Sequence, residues 1–222
     1  LVGDFLFARS FELMVEDGSL DVLAILSRAS SVIAEGEVAQ LITANDTETS
    51  ESAYMEVIKA KTAVLIAAAC QMGGIYAGAN DSEVQALYDY GLNLGLAFQM
   101  VDDALDYVGT AHEFGKPVGH DLAEGKITLP FIHVRDNGPD KVRQRLLQLA
   151  PKGREGEQGA EAISEAKELI TTHGGVEATY AAAMRYAALA QTALSRLGRN
   201  PTPGSDLETL LALAAYVLER RH

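Results

Sequence analysis

The chain is short of most features that tie a protein to a special environment. It has a single cysteine, Cys70, in 222 residues, so no internal disulfide can form. That cysteine sits in the apolar run AVLIAAAC, which reads as core packing in a reducing, cytoplasmic compartment. Positive charge is scarce. Lys+Arg 18 against Asp+Glu 31 leaves a formal charge of −13, which argues against nucleic acid and against electrostatic docking on anionic membranes. No apolar run approaches the ~20 residues of a membrane span, and no signal-peptide pattern is present. No Ser-His-Asp or Cys-His arrangement emerges, and His112, His120, His133, His173 and His222 lack metal-ligand spacing.

Alternating strand patterns are also missing, and what remains is helical. Alanine and leucine dominate segments whose apolar residues recur at three- and four-residue steps. These segments predict helices over 1–15, 19–41, 53–73 and from Asp81 onward. Shorter helices are predicted over 127–135, 138–149 and 160–173, and longer ones over 176–197 and 206–220. Asp17-Gly18 breaks the first helix, the polar stretch Asn45 to Ser52 is a loop, and Ser205 with Glu208 reads as a capping box. Residues 151–159, PKGREGEQG, read as a mobile surface loop. No linker or repeat divides the chain. The length suits one all-α domain over 1–222, a bundle whose site lies among facing helices.

The organising stretch is Phe98 to Thr128. Gln99, Asp102, Asp103 and Asp106 fall at i, i+3, i+4 and i+7, which puts them on one face of a helix. Like charges at that spacing weaken a helix by roughly 0.2–0.5 kcal/mol per pair, so a cation is expected nearby. Clustered carboxylates favour a hard, oxygen-loving ion such as Mg2+. Val84, Leu87, Gly91, Leu94, Phe98, Val101 and Leu105 form a core-facing stripe, and Asp102 is placed at its edge. Gly91 and Gly95, one and two turns earlier, are expected to leave room for a ligand. The helix then gives way to a glycine-rich loop carrying Lys116, Asp121 and Lys126. Carboxylates that gather a divalent metal, followed by lysines, suit a diphosphate. The bland alternative is a solvated acidic helix end followed by ordinary surface lysines.

The text FQMVDDALDY, followed by GKPVGHDLAEGKITLP, resembles the second aspartate-rich region of trans-type polyprenyl diphosphate synthases. The likeness extends through GDFLFARSFEL, AEGEVAQL and KAKTAVLIAAAC to the C-terminal LALAAYVLERRH, and is looser from about 140 to 204. It implies an isoprenoid-synthase-type helical bundle around a central cavity. It also implies a Mg2+-dependent condensation of an allylic diphosphate with isopentenyl diphosphate. By the resemblance Asp102 and Asp103 ligate metal, with Asp106 completing the motif, and Asp121 acts through water. Lys61 and Thr62 match a KT pair that contacts the allylic diphosphate, and Lys116 and Lys126 add charge. Phe98 and Gln99 match an FQ pair near the second substrate. Glu37 and Gln40 stand at polar site-lining positions. Arg220 and Arg221 resemble basic C-termini that close over the site, or else cap the last helix.

The GDFLFARSF and AEGEVAQL wording most resembles the long-chain branch that makes octaprenyl to decaprenyl diphosphate for quinone side chains. A homodimer is expected by the same likeness. The family's first DDxxD motif and its isopentenyl diphosphate site belong before GDFLFARSF and are not in this sequence. Either a longer protein supplies them, or the chain is a non-catalytic partner subunit. Taken literally, these residues carry half of a metal site and are expected to be inactive alone. A shorter-chain synthase remains open. A terpene cyclase is disfavoured by the placing of Lys116, Asp121 and Lys126.

Overall fold

Helices in this chain start where a side chain can satisfy their first free amides. Ser19 accepts from the Val22 amide, Ser50 from the Ala53 amide and Ser205 from the Glu208 amide. Asn80 accepts from Ser82 and Glu83, while the Glu83 carboxylate accepts from the Asn80 amide in return. The box predicted at Ser205 closes one residue early, because Glu208 reaches back to the Gly204 amide. Gly18 ends the first helix in the left-handed region with φ 78°.

The computed structural model describes residues 1–108, 119–150, 157–198 and 202–220, and no strand occurs among them. The order is α1 (Val2–Asp17), α2 (Leu20–Thr43), α3 (Glu51–Ile58), a π turn (Lys59–Ala63), α4 (Val64–Tyr76) and α5 (Asp81–Val108). There follow α6 (His120–Ala123), α7 (Leu129–Asn137), α8 (Asp140–Leu149), α9 (Glu157–Thr172), α10 (Gly175–Leu194) and α11 (Asp206–Glu219). The all-α expectation holds, and predicted boundaries agree within a few residues. Two details differ. The helix predicted over 53–73 is interrupted by the π turn, in which the Val64 amide donates to the Lys59 carbonyl, and the single turn α6 was not anticipated. The predicted loop at 151–159 lies mostly outside the described residues, and α9 has begun by Glu157.

Helix α5 is the axis of the bundle, with α4 on one side and α10 on the other. Two buried faces result. The predicted stripe supplies Leu94, Val101 and Leu105; a second, formed by Ala86, Tyr90, Ala97, Met100, Ala104 and Tyr107, meets the opposite neighbours. Small residues allow the close approach. A Cβ on Gly95 would stand 2.5 Å from the Ala63 Cα, and one on Gly91 would stand 2.7 Å from the Ile66 carbonyl oxygen. The two glycines therefore let helix backbones touch and do not make room for a ligand, which corrects the expectation drawn from their spacing. Cys70 is half-buried against the same core.

Candidate active site

An open cavity of about 390 Å³ lies between α2, α3, the π turn, α5 and the α6–α7 connection. The polar positions singled out above converge on it: Gln40, Lys61, Thr62, Gln99, Asp102, Asp103, Asp121 and Lys126 all line its wall. Phe98 is not part of that lining. It is half-buried beneath the Arg220 guanidinium, which lies 4.5 Å from its ring centroid. Lys116 and Arg221 fall outside the described residues.

The three aspartates take different positions. Asp102 reaches the exposed rim, where its Oδ1 stands 3.9 Å from Arg220 Nη2 and its side chain is 52% exposed. Asp103 is the carboxylate at the core edge, a place assigned in the sequence to Asp102. Burial of α5 on two sides turns Asp103 inward and leaves Asp102 out. Tyr54 donates to Asp103 Oδ2 at 2.6 Å and Gln99 Nε2 donates to Oδ1 at 2.8 Å. Burial pushes the Asp103 carboxyl up to about 7, against the pull of these two donors, with Asp121 and Asp102 adding to the rise. Asp106 spans the ends of the α5–α6 connection, its two oxygens accepting the His120 and Asp121 amides at 3.1 Å each. Its carboxyl is also raised, first by burial and then by Asp121.

Each cation on the rim is held by acid. Lys61 donates to Gln40 and pairs with Glu37 at 3.0 Å. Lys126 reaches Asp121 and Glu124, both at 2.8 Å. Burial alone would make Lys126 easier to deprotonate, but these hydrogen bonds hold it above the ordinary lysine range. Lys61 and Thr62 owe their aim to the π turn, whose wider winding presents consecutive residues to the cavity. Thr62 Oγ1 donates to Gln99 Oε1 at 2.8 Å.

Sequence reading missed Tyr54, Glu124, His120 and Arg135. Tyr54 passes for a core aromatic. The signal that it faces the cavity is its place two helical turns before Thr62. Arg135 is buried and donates to the carbonyls of Thr47 and Thr49 at 2.6 and 2.7 Å, which fixes the α2–α3 loop at the cavity mouth. Lys167 on α9 is lowered by burial and raised by the nearby Asp106.

The donor set suits a hard divalent cation in kind. Carboxylates outnumber the lysines, and burial first, with neighbouring carboxylates adding to it, makes Asp103 and Asp106 hold their protons more tightly than usual. Among the described residues no three His, Cys, Asp or Glu side chains converge into an all-protein cage. Mg2+ in general takes one or two carboxylates and completes its shell with water and substrate phosphate.

Acids and lysines thus gather at the rim of one cavity in an all-helical bundle, an arrangement chemically suited to a diphosphate. A profile described as polyprenyl synthetase matches residues 1–168, and the chain belongs to that family. It is 41% identical over 220 residues to the octaprenyl diphosphate synthase of Escherichia coli (strain K12), covering 99% of this chain and 66% of that protein. Its fold superposes with TM-score 0.85 on a decaprenyl diphosphate synthase from Rhodobacter capsulatus, at 44% identity, covering 100% of this chain and 66% of the other. With a polyprenyl synthase from Caulobacter crescentus CB15 complexed with calcium and isoprenyl diphosphate, the TM-score is 0.89 at 44% identity, over 100% of this chain and 65% of that one. The chain thus spans just under two thirds of the length of these three relatives. No described helix is long and apolar enough to cross a membrane.

Proposed function

We propose that the protein containing this chain is a Mg2+-dependent prenyltransferase. It would condense an allylic diphosphate with isopentenyl diphosphate to make a long-chain all-trans polyprenyl diphosphate, a quinone side-chain precursor. The observation that carries the proposal is the rim itself, where Asp102, Asp103, Asp121 and Glu124 line one cavity together with Lys61 and Lys126, the last bonded to Asp121 and Glu124. Relatives named as octaprenyl and decaprenyl diphosphate synthases support the long-chain branch.

The difficult step is separating a diphosphate anion from a carbon cation. Asp102 is the motif carboxylate with most access to the cavity and would hold Mg2+, with Asp103 beside it. When bound, the ion supplies positive charge against the leaving group. Lys61 and Lys126 exchange their present acid partners for phosphate oxygens and stabilise the same growing charge. Asp106, by gripping two α6 amides, keeps Asp121 and the Lys126 loop in place. The apolar side chains beneath the rim exclude water that would otherwise quench the cation. A cytoplasmic homodimer fits the acidic surface and the exposed apolar face of α1.

The test is product chromatography of the full-length protein given farnesyl diphosphate, isopentenyl diphosphate and Mg2+. Octaprenyl to decaprenyl products are expected. A geranylgeranyl product would move the protein to the shorter-chain branch, and no elongation at all would overturn the reading.

A further inference from the structure

One buried chain of hydrogen bonds on the cavity wall ties the site residues Asp103, Gln99 and Thr62 to Tyr54, which has no part in the chemistry described so far. Tyr54 is 4% exposed and Asp103 3% exposed. The Tyr54 hydroxyl donates to Asp103 Oδ2 at 2.6 Å, Gln99 Nε2 donates to Oδ1 at 2.8 Å, and Thr62 Oγ1 donates to Gln99 Oε1 at 2.8 Å. The chain leaves α3, crosses to α5, runs one turn back along α5 and returns to the π turn. Tyr54 and Gln99 both donate to the Asp103 carboxylate, and Thr62 donates one link further back, to Gln99. Both ends of the Gln99 amide are thereby committed, which fixes its orientation and, through it, the Thr62 hydroxyl.

The geometry points to a positioning role for Tyr54 in the diphosphate site, exerted through Asp103 and Gln99 on Thr62 and the adjoining Lys61. An aromatic that merely filled the core would need no hydroxyl there. With the hydroxyl gone, a buried carboxylate oxygen loses its donor and recovers one only by turning toward the wet cavity. Gln99 then loses its acceptor, and Thr62 loses the partner that holds it. Local winding cannot restore it, because the π turn that carries Thr62 is the least regular part of this helical run.

The inference rests on the reading of the cavity as a diphosphate site, and one calorimetric series separates the two. Inorganic diphosphate with Mg2+ is titrated into the full-length protein and into its Tyr54→Phe, Thr62→Val and doubly substituted forms. Wild type is expected to bind. Tyr54→Phe is expected to bind about tenfold more weakly, the scale of one charge-assisted hydrogen bond, with a melting temperature within a few degrees of wild type. In the Thr62→Val background the Tyr54 substitution should change affinity less than about twofold, because its route is already cut. Unchanged binding by Tyr54→Phe, or an undiminished loss in the Thr62→Val background, overturns the positioning role and leaves the cavity assignment standing. No binding by wild type overturns both. Should Tyr54→Phe fail to fold, Thr62→Ser and Thr62→Val supply the comparison from the other end. Serine keeps the donating hydroxyl and is expected to bind like wild type, valine is not, and equal binding by the two overturns the proposal.

Discussion

Helices α1 and α5 are built from similar apolar fractions and end up in opposite circumstances. In α5 the neighbours α4 and α10 bury both flanks, and even an aspartate is drawn inside. In α1 only Met14 is buried, while Phe5, Leu6, Phe7, Leu13 and Val15 face outward and the helix leans chiefly on α2. Apolar composition makes a helix available for burial; partners decide whether burial happens. The α1 face adds little to the stability of these 222 residues, and local opening is expected to begin there, whereas α5 should open last.

The sharpest way to break the contrast is to strike the chemistry of α5. Asp102→Ala is expected to lower turnover of the full-length protein at least about a hundredfold, the scale of one strong electrostatic contact, read by radiolabelled isopentenyl incorporation with Mg2+. Near-normal turnover would remove Asp102 from the mechanism. Gly95→Ala comes next. The new Cβ meets the Ala63 backbone, which cannot yield, and a loss of about 1–3 kcal/mol is expected in thermal or denaturant melts.

A pH effect follows. The folded Asp103 carboxyl titrates at about 7, above the roughly 4 of an unfolded aspartate, so the folded state holds that proton more tightly. The associated stability is fully present below about pH 4 and is lost as pH rises through about 7. Metal-free protein should therefore melt at lower temperature at pH 7.5 than at pH 5, and Asp103→Asn should flatten that profile. An equal slope in the variant assigns the effect to another group. The smallest change carries the opposite sign. Gly3→Ala on α1 meets nothing within 4 Å and should stabilise by up to about 1 kcal/mol, so a loss there would mean that α1 is covered after all.

Periodicity and caps carried most of the fold. Ser19, Ser50, Asn80 and Gly18 mark helix ends through contacts made within a few residues, which a sequence displays directly. The cavity residues Lys61, Thr62, Gln99, Asp102, Asp103, Asp121 and Lys126 were also legible, from motif spacing and family likeness together. Facts decided across the bundle were not. A single stripe predicted one buried face for α5, and only the packing of α10 reveals the second, which is why Asp102 and Asp103 exchange their expected places. Tyr54 passes for a core aromatic because the bond that ties it to the cavity wall runs to Asp103, 49 residues away, and its spacing from Thr62 is the one local signal. Gly91 and Gly95 were read as space because spacing cannot show that another backbone fills it.

The π turn at Lys59–Ala63 holds one residue more than an ordinary coil of the same rise. Removing that residue would leave an unbroken α-helix whose N-terminal part is rotated by about 100° relative to α4. Tyr54 would then swing off Asp103 while Ala67 kept its place in the core. The extra residue thus works as a phase shifter, letting a single continuous rod address the water-filled rim with one half and the dry interior with the other.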